Sequence, residues 1–147
     1  MRRFVNMIVI HCSATEENHE YYADDIRQWH KERGFKDIGY HFVIDIDGTL
    51  EIGRPLEQAG AHAQGYNEKS IAICYIGGLR KNKPADTRTE EQKTTMHSLI
   101  NLIKTIYPNI RNVVGHRDLS VDLNGDGVVS PQEWMKQCPC FNVQDEF

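Results

Sequence analysis

The sequence predicts an α/β fold in which a mixed central β-sheet is flanked by helices. Apolar segments rich in β-branched residues, at positions 5–10, 40–46 and 71–76, have the character of buried strands. Two other segments, at positions 23–33 and 90–107, have the apolar spacing of helices. Because strands and helices are interspersed along the chain, we expect the helices to pack on the faces of one sheet.

The N-terminal half is expected to contain a helix and a β-hairpin after its first strand. The predicted helix at 23–33 ends at Gly34, a residue common just beyond a helix C-terminus. The dipeptide Asp47-Gly48 is a hairpin turn signal. The strand at 40–46 is therefore expected to return at 49–52.

The C-terminal half is expected to begin with the longest helix. Thr89 and Gln92 form a capping-box pattern at the start of the predicted helix at 90–107. A short apolar strand follows at 112–115. The chain has no internal repeat, low-complexity tract or linker composition, so we expect a single domain over residues 1–147.

The composition is that of a globular domain and excludes several classes of function. Hydrophobic residues make up 39% and charged residues 26% of the 147 residues. The formal net charge of -4 argues against nucleic acid as the main partner. No segment has the ~20 consecutive apolar residues that a membrane-spanning helix needs, so stable membrane insertion is not expected. We expect a monomer.

The N-terminus resembles a signal peptide only superficially. Arg2 and Arg3 precede an apolar run, but Asn6 interrupts this run and no small-residue cleavage site follows it. A buried first strand accounts for the segment better. We therefore expect no signal peptide and synthesis in the cytoplasm.

The cysteines allow more than one interpretation. The chain contains Cys12, Cys74, Cys138 and Cys140, an even number that would permit two disulfides. A chain of this size does not need disulfides to be stable. Cys138 and Cys140 are too close in sequence to bridge each other comfortably.

Two histidines and one cysteine form a candidate metal site. His11 and His116 each follow a predicted strand, and strand ends often carry functional side chains. With Cys138 they would supply two imidazoles and a thiolate, a set that suits zinc and leaves a fourth tetrahedral position for water. These residues are far apart in sequence. Their spacing alone favours ordinary polar histidines and a small buried cysteine over a metal site.

Six sequence blocks resemble the N-acetylmuramoyl-L-alanine amidases related to phage lysins and peptidoglycan recognition proteins. Each block is common by itself, but here the blocks occur in the family's order across nearly the whole chain. The blocks are IVIHCSAT (8–15), GYHFVI (39–44), GAHA (60–63), SIAICYIGG (70–78), GHRD (115–118) and KQCP (136–139).

This resemblance implies a peptidoglycan-recognition-protein-like amidase fold and specific roles for five residues. It makes His11, His116 and Cys138 zinc ligands, and it places Tyr40 beside the metal-bound water and Lys136 near the carbonyl under attack. The implied activity is zinc-dependent hydrolysis of the amide bond between N-acetylmuramic acid and L-alanine. The implied partner is peptidoglycan or a muropeptide. Many recognition-only members of the family lose the cysteine ligand, so its presence here favours an enzyme.

The loop at 60–67 contains two candidate substrate contacts. His62 lies in a stretch rich in glycine and alanine, where it is expected either to reach the substrate cleft or to be a solvated loop histidine. Asn67 is expected to touch the stem peptide. The other histidines in polar positions, His19, His30 and His97, are expected to be surface residues.

A second motif lies between the last two candidate zinc ligands. Residues 122–133 match the calcium-loop pattern at each of its diagnostic positions, with Gly127 at the sharp turn. We expect this insertion to bind calcium and to order the segment that presents Lys136 and Cys138; the alternative is a polar surface turn. The expected calcium ligands are Asp122, Asn124, Asp126, the Val128 carbonyl, Ser130 and Glu133.

Two other classes of function compete with the enzyme. One is a non-catalytic peptidoglycan-binding module on the same fold, and the other is a calcium-regulated interaction protein whose histidines are incidental. The retained cysteine and tyrosine favour an endolysin-like enzyme that degrades the cell wall. Without an export signal, such an enzyme is expected to reach the wall after release or delivery.

Overall fold

The computed structural model describes residues 3–147, and its regular elements are eight strands and two α-helices within that range. The helices are α1 (Ala23–Glu32) and α2 (Glu90–Ile106). The strands are β1 (Met7–Cys12), β2 (Thr15–Glu16), β3 (Phe42–Ile44), β4 (Leu50–Ile52), β5 (Ser70–Tyr75), β6 (Gly78–Arg80), β7 (Lys83–Pro84) and β8 (Asn112–Gly115).

The central sheet has five strands in the order β4-β3-β5-β1-β8. β1 lies between β5 and β8 and is parallel to both, and β3 is parallel to β5. β4 is antiparallel to β3, and the turn between them is closed by a hydrogen bond from the Gly48 amide to the Asp45 carbonyl (2.9 Å). The predicted mixed sheet and its hairpin are therefore confirmed.

Each face of the sheet is covered by one helix. Met96, Leu99, Ile100 and Ile103 of α2 are buried in a cluster with one face of β1, β3 and β5. On the opposite face, α1 contributes to a second cluster through buried Ala23 and Ile26. Fully burying one such aliphatic side chain stabilises a fold by about 1.5–3 kcal/mol, so both helices contribute to the stability of the sheet.

The N-terminus of α2 is attached directly to the sheet. The Thr89 hydroxyl accepts from the Gln92 amide, and the Gln92 side-chain oxygen accepts from the Thr89 amide, both at 3.0 Å. The Gln92 side-chain nitrogen also donates to the carbonyls of Ile44 and Ile76 at the ends of β3 and β5. The predicted capping box is confirmed, and it anchors the helix as well as starting it.

The first strand extends further than predicted. We expected it at 5–10 with His11 after its end, whereas β1 continues to Cys12 because it pairs with β5 as far as Cys12↔Tyr75. A second sheet, in the order β2-β6-β7, was not expected. Its strands have two or three residues each, which is too short for an apolar periodicity to be visible.

The C-terminal segment is fastened to the end of the central sheet. The Arg117 amide donates to the Cys138 carbonyl (2.9 Å), and the Tyr75 hydroxyl donates to the Pro139 carbonyl (2.6 Å). Pro139 packs so closely on Gly115 that a Cβ at this glycine would lie 2.7 Å from the proline ring. Glycine at position 115 therefore permits the approach that brings Cys138 to the sheet.

Two further expectations can be compared with the described part of the chain. Cys12, Cys74, Cys138 and Cys140 are all free thiols. Among residues 3–147, neither α-helix has both the length and the apolar character that crossing a membrane requires.

Candidate metal centre and substrate cleft

His11 and His116 come together because their strands are parallel neighbours. His11 lies near the end of β1 and is only 1% exposed. β8 pairs with β1 up to Ile10↔Gly115, so the next residue, His116, emerges at the same edge of the sheet. The two imidazole ring centres are 4.5 Å apart.

Cys138 completes the group. Its Sγ accepts a hydrogen bond from the Cys12 amide at 3.2 Å, which holds the sulfur against the end of β1. One ligand atom each from His11, His116 and Cys138 lies within 4.8 Å of the other two. Ligands of one tetrahedral zinc, bound at about 2.0–2.3 Å, are separated by about 3.3–3.8 Å, so small side-chain movements suffice to bind the ion.

The two histidines are neutral at physiological pH. Burial, followed by the proximity of the basic side chains of His62, His116 and Lys136, holds the pKa of His11 well below its usual value. Burial and then the nearby Lys136 ammonium lower the pKa of His116 to about 4. Because metal binding requires unprotonated imidazoles, both side chains are already in the form that coordinates an ion.

Tyr40 lies beside this group. Its ring centre is 4.9 Å from that of His11, and it occupies the segment just before β3 rather than the predicted strand. Burial and the neighbouring thiols of Cys74 and Cys138 raise the pKa of Tyr40 well above its usual value. Its hydroxyl therefore keeps its proton and can donate a hydrogen bond.

Lys136 contributes a positive charge at the mouth of the site. The residue is exposed and lines the same cleft as the three candidate ligands. Its positive charge lowers the pKa values of His11 and His116. Its contact with the carbonyl under attack stays a prediction.

His62 is bonded to the first candidate ligand. Its Nδ1 lies 2.9 Å from Nε2 of His11, and its Nε2 lies 3.0 Å from Oγ of Ser70. Burial, followed by the charge of His41, lowers the pKa of His62 to about 3. The alternative of a solvated loop histidine is therefore wrong, whereas direct contact of His62 with substrate stays a prediction.

The loop that carries His62 is held in place by Asn67 and by a close backbone contact. The Asn67 side-chain oxygen accepts from the amides of His62 (2.9 Å) and Ala63 (3.0 Å). The Ala61 amide donates to the Gly39 carbonyl (3.0 Å), and a Cβ at Gly39 would lie 2.1 Å from the Ala61 oxygen. Asn67 thus orders the loop, and its contact with a stem peptide stays a prediction.

The candidate ligands lie in a cleft of about 940 Å³, which is within the size range of ligand-binding sites. Tyr40, His62, Asn67 and Lys136 line it as well. Its apolar wall was not anticipated from the sequence. This wall includes Trp29, Phe35, Tyr66, Leu119, Val121 and Met135.

One histidine assigned to the surface is buried. His30 is only 7% exposed, its Nδ1 accepts from the Gly39 amide (2.8 Å), and its ring centre lies 5.2 Å from that of Tyr40. The expectation failed because α1 brings this residue against the segment leading into β3. His19 and His97 are exposed, as expected, although His97 also bonds to Glu146 (2.9 Å).

The predicted calcium loop brings part of its ligand set together. Carboxylate oxygens of Asp122, Asp126 and Glu133 lie within 4.8 Å of one another. The side chains of Asn124 and Ser130 bond within the loop, to the Asp126 amide and the Glu133 carboxylate. Calcium binding, including the role of the Val128 carbonyl, stays a prediction.

Known proteins resemble this chain over nearly all of its length. The family model described as N-acetylmuramoyl-L-alanine amidase matches residues 1–140. The endolysin of Escherichia phage T7 is 36% identical over 143 residues, which cover 97% of this chain and 85% of that protein. The endolysin of Enterobacteria phage K11 is 35% identical over 144 residues, with the same coverage.

Solved structures agree with this relationship. The N-acetylmuramoyl-L-alanine amidase LysC from Clostridium intestinale URNW superposes with a TM-score of 0.74 at 29% identity, covering 98% of this chain and 82% of its own. Drosophila PGRP-LB superposes with a TM-score of 0.70 at 26% identity, covering 99% and 81%. The predicted amidase fold, shared with peptidoglycan recognition proteins, is confirmed.

Proposed function

Because the chain belongs to the N-acetylmuramoyl-L-alanine amidase family, we propose that it is a zinc-dependent enzyme acting on bacterial peptidoglycan. The bond cleaved is the amide between N-acetylmuramic acid and L-alanine. The observation that carries the proposal is the convergence of His11, His116 and Cys138 at the cleft, with ligand atoms within 4.8 Å of one another.

The residues present fit zinc in kind, number and charge state. Two neutral imidazoles and one thiol supply three ligands, and the cleft gives access to a fourth position. The Cys12 amide, which donates to Cys138 Sγ, holds the sulfur in position beside the two histidines. Zinc held by these three residues would polarise a carbonyl as a Lewis acid and would lower the pKa of water at the open position to about 7.

Tyr40 and Lys136 supply the remaining polar groups. The protonated Tyr40 hydroxyl, next to His11, orients the attacking water or the scissile carbonyl by donating a hydrogen bond. The Lys136 ammonium stabilises the negative charge that develops on the carbonyl oxygen. Removing one such donor typically raises the activation free energy by about 2.7–4 kcal/mol.

The apolar wall of the cleft can bind the parts of the substrate that flank the scissile amide. Aromatic side chains at Trp29, Phe35 and Tyr66 offer flat apolar surfaces against which a sugar ring or a stem-peptide side chain packs. His62 and Asn67 also line the cleft. The natural partner is then peptidoglycan or a muropeptide, met at the cell wall after release or delivery of the protein.

We further propose that the loop at 122–133 binds calcium as a structural ion. Three carboxylates converge there, and Gly127 adopts the positive φ of 85° that a sharp turn requires. The loop is joined to the segment before the third zinc ligand, where the Met135 amide donates to the Ser120 hydroxyl (3.0 Å). Calcium would order the segment that carries Lys136 and Cys138.

A wall-digestion assay combined with metal analysis tests the enzyme. Purified protein is expected to contain one zinc per chain and to release stem peptides from cell walls, with products identified by mass. A chelator should abolish release and added zinc should restore it. Cys138→Ala should lose both zinc and activity, while Cys74→Ala, which removes a buried thiol that is not one of the three candidate ligands, should keep both. Wall binding without zinc and without products would instead indicate a recognition module.

A further inference from the structure

A continuous chain of hydrogen bonds leads from the first candidate zinc ligand into the sheet. His11 Nε2 lies 2.9 Å from His62 Nδ1, and His62 Nε2 lies 3.0 Å from Ser70 Oγ. The Ser70 hydroxyl in turn lies 2.7 Å from the backbone carbonyl oxygen of Tyr66. The chain therefore ends on a group that can only accept a hydrogen bond.

The Tyr66 carbonyl at the end determines which atom is the donor in each of these hydrogen bonds. The Ser70 hydroxyl has one proton, which it donates to the Tyr66 carbonyl, so its oxygen accepts from Nε2–H of His62. A neutral imidazole has one N–H, so His62 Nδ1 is an acceptor. The facing atom, His11 Nε2, must then carry a proton and donate it.

From this direction we propose that His62 and Ser70 are positioning residues that hold His11 in the Nε2–H tautomer and present its Nδ1 to the metal. The inference rests on the proposed zinc site. Metal-binding histidines commonly have their second ring nitrogen hydrogen-bonded in this way, which fixes both the tautomer and the ring orientation. Here the acceptor is a second histidine, which is itself oriented by a buried serine.

Rigid parts of the fold hold Ser70 and His62 in place. Ser70 is fully buried at the first position of β5, where it pairs with Met7 of β1. The backbone of His62 is held by the Asn67 side chain, which accepts its amide at 2.9 Å. Since both ring nitrogens of His62 are engaged, its main role is to orient His11.

NMR of the histidine side chains tests the donor–acceptor direction of these hydrogen bonds in the absence of metal. Long-range ¹H–¹⁵N spectra of the zinc-free protein identify which ring nitrogen carries the proton. The expected result is that His11 and His62 are both protonated at Nε2. Protonation of either residue at Nδ1 would overturn the proposal.

Zinc affinity tests the positioning role. Competition with a chromogenic chelator should show zinc binding weakened about 10–100-fold in His62→Ala and about 10-fold in Ser70→Ala, the range typical for loss of such outer partners. The matched control is Thr95→Val. This substitution removes a hydroxyl that donates to the backbone carbonyl of Gly48, a residue distant in sequence. Its zinc affinity should stay within about twofold of wild type.

The outcomes separate this inference from the proposed function. Thermal unfolding of each zinc-free variant verifies that it folds, and Ser70→Ala carries the test if His62→Ala does not. A wild type without zinc affinity refutes the proposed function and the positioning role together. Unchanged affinity in folded variants of a zinc-binding wild type refutes the positioning role alone.

Discussion

The burial of His30 predicts a specific loss of stability in acid. Its side chain is 7% exposed, and its Nδ1 accepts the Gly39 amide, so protonation would break this bond and bury a charge. Burial, and then the charges of Arg33 and Arg54, lower the pKa of His30 from 6.5 to about 4. The substitution His30→Gln keeps a hydrogen-bond acceptor but removes the titration.

The direction of the effect follows from the two pKa values. Between about pH 4 and pH 6.5 the unfolded chain binds the proton and the folded chain does not, so stability rises with pH in this window. The contribution of His30 is fully present above pH 6.5 and is lost as the pH falls towards 4. At pH 5 the linkage relation gives a loss of about 2 kcal/mol relative to pH 7.5.

Urea unfolding of the zinc-free protein at pH 7.5 and pH 5 measures this loss. Between pH 7.5 and pH 5 the free energy of unfolding should fall in both proteins. The fall should be about 2 kcal/mol smaller in His30→Gln than in wild type. The control is His19→Gln, which replaces an exposed histidine. If wild type and His30→Gln lose the same free energy, His30 is not neutral and buried in solution, and the reasoning fails.

Three other predictions concern catalysis, calcium and folding. Tyr40→Phe should retain zinc and lower kcat by about 10²–10³-fold, as expected for loss of one donor to the transition state; a kcat within threefold of wild type would remove Tyr40 from the mechanism. Glu133→Ala should abolish a calcium-dependent rise in Tm, whereas a wild-type Tm that calcium does not shift would contradict the loop assignment. Thr89→Ala should lower the free energy of unfolding by about 1 kcal/mol in urea titrations, and Thr105→Ala, on the exposed part of α2, by clearly less.

Two hydrogen bonds connect His30 to the loop that carries His62. His30 accepts the amide of Gly39, and Gly39 in turn accepts the amide of Ala61, next to His62. The buried histidine on α1 therefore supports the loop that orients His11. Acid that protonates His30 is expected to loosen this loop, so zinc affinity should fall in the same pH range as stability.

Local sequence signals determined the elements of this fold. Apolar runs of β-branched residues identified the buried strands, the Asp47-Gly48 turn identified the hairpin, and Thr89 with Gln92 identified the start of α2. These features depend on residues a few positions apart, so they can be recognised without the tertiary structure. The candidate metal ligands were also recognised, but through the order of the family's sequence blocks rather than through their spacing.

Tertiary structure decided which side chains meet. His11 and His116 are neighbours because β1 and β8 are parallel and in register, and Cys138 joins them because the C-terminal segment packs on Gly115. The bond between His11 and His62 depends on the path of a loop and on the contact between Gly39 and Ala61. Strand register and loop path are set by packing across the whole core, which no local stretch of sequence encodes; for the same reason the burial of His30 was not foreseen.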